Sequence, residues 1–187
     1  LCLGAVFWVH ASLITESKGT ELQARERLEA VDAAGISVSG DIKLVEQVVE
    51  LYEDALIADA GNADAWIGLS MAICQLHYRN PADFEKNGAH AVRAAARAVS
   101  ICPEYWLASA QLGVAYALSG EIAAARPAFI RAIELAPNVS HAHYYYAAFL
   151  AGEDSMREEA IQQVRRAVEI DPGNRAALRL QQKLLIL

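Results

Sequence analysis

Apolar positions recur along most of this chain at the three-and-four spacing of amphipathic helices. They come in short blocks separated by polar breaks rather than in one long stripe. Three blocks end alike, AVSICP, AIELAP and AVEIDP, with Pro103, Pro137 and Pro172 in last place. Proline has no amide hydrogen to give an interior helix bond, so each proline closes a helix. The first two prolines are 34 residues apart and the second two 35. A period of that size predicts a solenoid of helical hairpins, in which each repeat buries its apolar face against its neighbours.

The sharpest block is Ser109–Pro137. Gly113 lacks a side chain and lets its helix approach a neighbour closely. Tyr116 and Phe129 are large apolar groups beside the small Ala125 and Ala132, and Gly120 sits where the chain must turn between two helices. Leu112-Gly113, Tyr116, Ala125, Phe129, Ala132 and Pro137 thereby follow the order L-G-x2-Y…A-x3-F-x2-A…P. This resembles the tetratricopeptide repeat (TPR), a helix–turn–helix unit of about 34 residues. The resemblance implies an all-α fold, a right-handed superhelix of antiparallel helix pairs, and a role in holding a partner.

The flanking blocks extend the resemblance. Downstream, Tyr146, Ala147 and Leu150 take the first-helix places, and Ala160, Val164, Ala167 and Pro172 those of the second. Ala147 stands where the glycine was, which predicts slightly looser packing. Upstream, Trp66 and Leu69 match the opening of the motif, with Ser70 and Ile73 after them; Ala91, Ala95, Ala98 and Pro103 follow. That repeat is longer by the segment HYRNPADFEKNG, residues 77–88, which reads as an elongated helix start with Asn80-Pro81 as cap and first helical residue. The organisation expected is therefore an apolar segment at 1–15, a degenerate or capping helix pair at 16–62, repeats at 63–105, 106–139 and 140–173, and a closing helix at 174–187. In the degenerate pair the first helix is expected near Glu21–Ala34, and Ser39 or Asp41 is expected to cap the second. Pro127 falls inside a second helix and removes one of its backbone bonds.

Residues 1–14, LCLGAVFWVHASLI, are apolar but too short for a bilayer, which takes about 20 residues. Three readings compete: the end of a transmembrane helix, the end of a signal peptide cut near Val9-His10-Ala11, or a helix packed on the solenoid. The polar step Glu16-Ser17-Lys18-Gly19 reads as the exit to water. Membrane anchoring or export to a bacterial envelope is the expected location. The layout also resembles that of O-antigen ligase-like membrane proteins, which end in TPRs. That resemblance implies an alternative role as the C-terminal TPR domain of a polytopic membrane enzyme. A third reading is an oligomerisation module.

Composition narrows the function. The 187 residues carry a net charge of −7 and no block of lysine or arginine, which argues against nucleic acid. Arg93, Arg97, Arg175, Arg179 and Lys183 are spaced along helix faces. Cys2, Cys74 and Cys102 form no metal spacing, and Cys74 and Cys102 read as buried helix residues. His141 and His143 point to different helix faces and so cannot share a metal. Glu158-Glu159 suits a helix start. Asn138-Val139-Ser140 matches a glycosylation sequon within a repeat turn. No HExxH, GxSxG or phosphate-loop motif occurs. No enzyme, metal or cofactor is expected.

In TPR proteins the first helices line a concave groove. Carried over by the motif, the groove positions here are Ile67, Met71 and Cys74; then Leu107, Ala110 and Val114; then His141 and Tyr144; then Arg175 on the closing helix. Ala117, Ala148 and Leu178 extend these rows. The lysine–asparagine–arginine clamp by which some TPR cochaperones hold a carboxylate is replaced by mainly apolar groups. The expected partner is a helical or extended apolar peptide, unless the chain fills the groove with its own residues 1–20 or its last helix.

Overall fold

The computed structural model describes residues 15–26, 42–79 and 84–186, and every regular element among them is helical. The chain divides into two compact units, residues 1–102 and 103–187.

The first unit holds α1, described over residues 15–26, then α2 (Ile42–Ala58), α3 (Ala63–Arg79) and α4 (Phe84–Ile101). Helix α3 packs against both α2 and α4. Its small residues decide how closely. A side-chain carbon on Gly68 would run into the Tyr52 ring of α2. Ser70, at the motif's glycine place, is fully buried, and its hydroxyl donates to the carbonyl of Ala91 on α4 at 3.0 Å. Trp66 closes the turn from α2, its indole N–H donating to Ala60 O at 3.0 Å. The helices α3 and α4 run 17 and 18 residues, so they absorb much of the longer segment at 77–88. Residues 80–83, with the expected Asn80-Pro81 cap, lie outside the described part, as do the expected caps Ser39 and Asp41 and the apolar residues 1–14.

Two expectations are corrected in this unit. Of residues 16–19, Glu16, Lys18 and Gly19 are exposed. All four lie in α1, and Ser17 is fully buried with its hydroxyl donating to Ala55 O on α2 at 2.8 Å. The Ala55 carbonyl also accepts from Asp59 N at 2.9 Å, and its second lone pair takes the Ser17 hydroxyl. The first helix therefore starts earlier than Glu21. Cys102, just past the end of α4, is exposed rather than buried; Cys74 is buried as expected.

The second unit holds α5 (Trp106–Leu118), α6 (Ile122–Leu135), α7 (Ser140–Leu150), a single 3-10 turn at Asp154–Met156, α8 (Arg157–Ile170) and α9 (Arg175–Ile186). Pairs α5–α6 and α7–α8 are the two helical hairpins, and α9 packs on α8 and α7. Gly120 turns α5 into α6 with φ of +80°, a conformation that a side chain disfavours. Phe129 of α6 sits against Gly113 of α5 so closely that a carbon on the glycine would lie 2.9 Å from three ring atoms. In the next hairpin Ala147 and Val164 occupy the equivalent places, both fully buried. The larger small residue is matched by a smaller large one, so volume is conserved rather than packing loosened. Pro127 is exposed within α6.

Candidate functional site

Two helix starts of the second unit, those of α7 and α9, are tied together by an inter-repeat device. At Asp171-Pro172-Gly173-Asn174 the Asp171 carboxylate accepts from the Gly173 amide at 2.9 Å. Asn174 then caps α9 by accepting from Ala177 N at 3.1 Å. Its amide nitrogen donates to Ser140 Oγ at 2.9 Å, and that hydroxyl donates to Ala167 O at 2.7 Å. One buried chain of bonds thus ties the starts of α7 and α9 to the end of α8. The first unit repeats the device with Asp59, Gly61, Asn62, Ser17 and Ala55.

A second lock holds α6, α7 and α8 in register. Arg126 binds both carboxylate oxygens of Glu159, at 2.7 and 2.9 Å, and Tyr146 donates its hydroxyl to the same carboxylate at 2.7 Å. Burial, then the hydrogen bond to Glu159 and its negative charge, push the Tyr146 hydroxyl up to about 12, with Arg126 opposing. Beside it Phe129, Tyr146 and Phe149 form an aromatic cluster with ring centroids 5.1–6.4 Å apart.

These contacts leave α5, α7 and α9 as adjacent first helices. Leu107 and Val114 on α5 are half-buried, while Ala110 between them is fully buried. On α7, His141 and Ala148 are exposed and Tyr144 is half-buried, its ring tilted against Tyr145 with centroids 5.6 Å apart. On α9, Arg175 is exposed and Leu178 half-buried. The second unit therefore brings Leu107, Val114, His141, Tyr144 and Arg175 onto neighbouring helices with accessible surface. Ile67, Met71 and Cys74 lie on α3 in the other unit. Met71 is half-buried, whereas Ile67 and Cys74 keep only 3% and 5% of their surface. Ile67, Cys74 and Ala110 are thus buried, unlike the accessible positions on α5, α7 and α9.

Chemistry is sparse. His143 is buried, with Nδ1 2.8 Å from Gln163 Oε1 and Nε2 3.0 Å from Pro137 O, so both ring nitrogens are engaged. His141 points to solvent on another face. Among the described residues no three His, Cys, Asp or Glu side chains are placed to hold a metal ion. No described helix is long and apolar enough to cross a membrane. In the first unit, burial and the nearby Arg93 hold the His90 imidazole below its usual range.

Sequence reasoning missed both polar locks. The D-x-G-N turn, present at 59–62 and 171–174, was the available signal for the first. Nothing in the spacing of Arg126, Tyr146 and Glu159 announces the second, because their meeting depends on the packing of three helices.

Residues 108–139 match the family model of the tetratricopeptide repeat. No curated protein sequence matches the chain. Among solved structures, the TPR protein TTC0263 of Thermus thermophilus is similar over 92% of this chain and 82% of its own, at 20% identity and a TM-score of 0.77. YrrB, described as a TPR protein with an unusual peptide-binding site, is similar over 87% of this chain and 84% of its own, at 21% identity and a TM-score of 0.50. MamA from Desulfovibrio magneticus RS-1 is similar over 92% and 94%, at 15% identity and a TM-score of 0.57. At these identities the likeness is one of fold. The fold class is all-α, the α–α superhelix of TPR proteins.

Proposed function

We propose that this chain is a non-catalytic protein-interaction scaffold that holds a helical or extended apolar segment of a partner. The observation that carries the reading is the row of accessible side chains on α5, α7 and α9, with Leu107, Val114, Tyr144 and Leu178 supplying apolar and aromatic surface. An apolar peptide laid across them exchanges water for contact at about 25 cal/mol per Å² of area removed, less the cost of ordering the peptide. The hairpins beneath are tied by the two polar locks, which lowers the cost of ordering the receptor. The TPR fold class and the peptide-binding description of one structural neighbour support the same reading.

The test is binding of an array of apolar peptides to the wild-type chain and to two variants, Leu107→Asp and Tyr144→Ala. The half-buried leucine replaced by a charge and the lost aromatic face should each weaken capture about tenfold or more. Circular dichroism should stay near wild type, since neither residue is fully buried. Unchanged affinity in both variants would place the binding surface elsewhere.

A further inference from the structure

The surface proposed above has a charge polarity that its apolar character hides. The second unit carries acidic residues at Glu104, Glu121, Glu134 and Glu153, among others, but α5, α7 and α9 contain not one aspartate or glutamate. Helix α5 carries no charged residue at all, and α7 carries only its two histidines. The cations on these three helices, Arg175, Arg179 and Lys183, all belong to α9, and all three are exposed. None of the three appears in an ion pair with a described carboxylate. Acidic groups are confined to the second helices and the turns, where Glu159 and Glu134 pair with Arg126 and Arg131. Across these three helices the accessible groups therefore run from aliphatic on α5, through aromatic on α7, to leucine and guanidinium on α9.

We infer that the segment held here is apolar at one end and acidic at the other, lying across the three first helices with its carboxylates at α9 beside Arg175. This rests on the scaffold reading above and narrows its ligand class. Three physical reasons converge. An acidic side chain on the ligand meets no like charge from α5, α7 or α9; Asp171, in the turn before α9, has its carboxylate engaged by the Gly173 amide. Arg175 offers a planar fork that can bind a carboxylate bidentately. It also sits in the first turn of α9, where the helix dipole favours negative charge. A ligand with lysine or arginine at the same end meets like charges from Arg175 and Arg179 with no carboxylate on these helices to offset them. The charge gives direction and discrimination; the apolar contacts give most of the affinity.

Three fluorescently labelled dodecapeptides, amidated at the C-terminus, test this with the full chain. They share an alternating leucine, valine, phenylalanine and serine body and end in two aspartates, two asparagines or two lysines. Fluorescence anisotropy should rank them aspartate, asparagine, lysine, with about tenfold between the extremes at low salt. The spread should narrow in 0.5 M NaCl, where the Debye length falls to about 4 Å. Arg175→Ala should shrink the aspartate preference to about threefold or less, and Arg175→Glu should reverse the ranking. Equal affinities in the wild type, or an unchanged ranking in Arg175→Glu, would overturn the charge polarity while leaving the scaffold reading in place. Failure of all three peptides to bind would overturn the scaffold reading itself.

Discussion

At the scale of residues, one contact sets the spacing of the best-formed hairpin. Gly113 leaves room for the Phe129 ring, and an added methyl group would stand 2.9 Å from it. Gly113→Ala should cost about 1–3 kcal/mol by overpacking. The next hairpin shows how the same site tolerates alanine, because Val164 replaces the ring. The double variant Gly113→Ala/Phe129→Val should therefore lose less stability than the two single losses added together, with a coupling above about 0.5 kcal/mol in urea titrations. Additive losses would mean that the two residues do not share one packing site. Tyr146 carries a second prediction. Its hydroxyl is favoured in the neutral form in the folded state, so its contribution is full below its ordinary value of 10.0 and is lost as pH rises toward about 12. Tyr146→Phe should cost about 1–2 kcal/mol at neutral pH, by loss of a hydrogen bond to a carboxylate. It should also flatten the fall in stability across that alkaline window. Equal alkaline slopes in wild type and variant would contradict the assignment.

At the scale of elements, helix starts differ in how they are held. Helices α5 and α7 begin at Tyr105 and Val139, whose side chains make no cap bond. Helices α3 and α9 begin at Asn62 and Asn174, which do. Asn174 also reaches Ser140, so its loss removes a cap and opens a buried hydroxyl network. Asn174→Ala should cost about 2 kcal/mol. With Ser140→Ala it should be non-additive, because Ser140 and Asn174 share one bond. Hydrogen exchange in the variant should accelerate first in α9; uniform acceleration across α5–α9 would mean that the device has no local role. This scale is also where the sequence is most and least legible. Glycine and alanine at fixed offsets announce the hairpins because close helix contact requires small side chains, and proline marks where each second helix closes. Ser17 reads as part of a polar exit yet is buried within α1, because its burial depends on the Ala55 carbonyl across the contact. Cys102 reads as buried from its apolar neighbours, yet it stands at the helix end that Pro103 marks, past the last turn of α4, and is exposed.

At the scale of the molecule, the two units differ in what they offer a partner. On α3 the motif-derived positions Ile67 and Cys74 are buried and Met71 is half-buried. On α5, α7 and α9 most of the corresponding positions keep accessible surface. The motif indexes these positions, since it counts along a helix, but it does not tell which are covered by neighbouring helices. The same limit applies to charge: the absence of carboxylates from α5, α7 and α9 is readable in the sequence, yet it gains meaning only once those helices are adjacent. On the proposed reading, this face of the second unit is the docking surface. Titrating the isotopically labelled full chain with the aspartate-ended dodecapeptide, and following amide and methyl resonances by NMR, tests it most directly. The predicted result is shifts concentrated at Leu107, Val114, His141, Tyr144 and Arg175. Shifts confined to α6 and α8, or to residues 42–101, would contradict it.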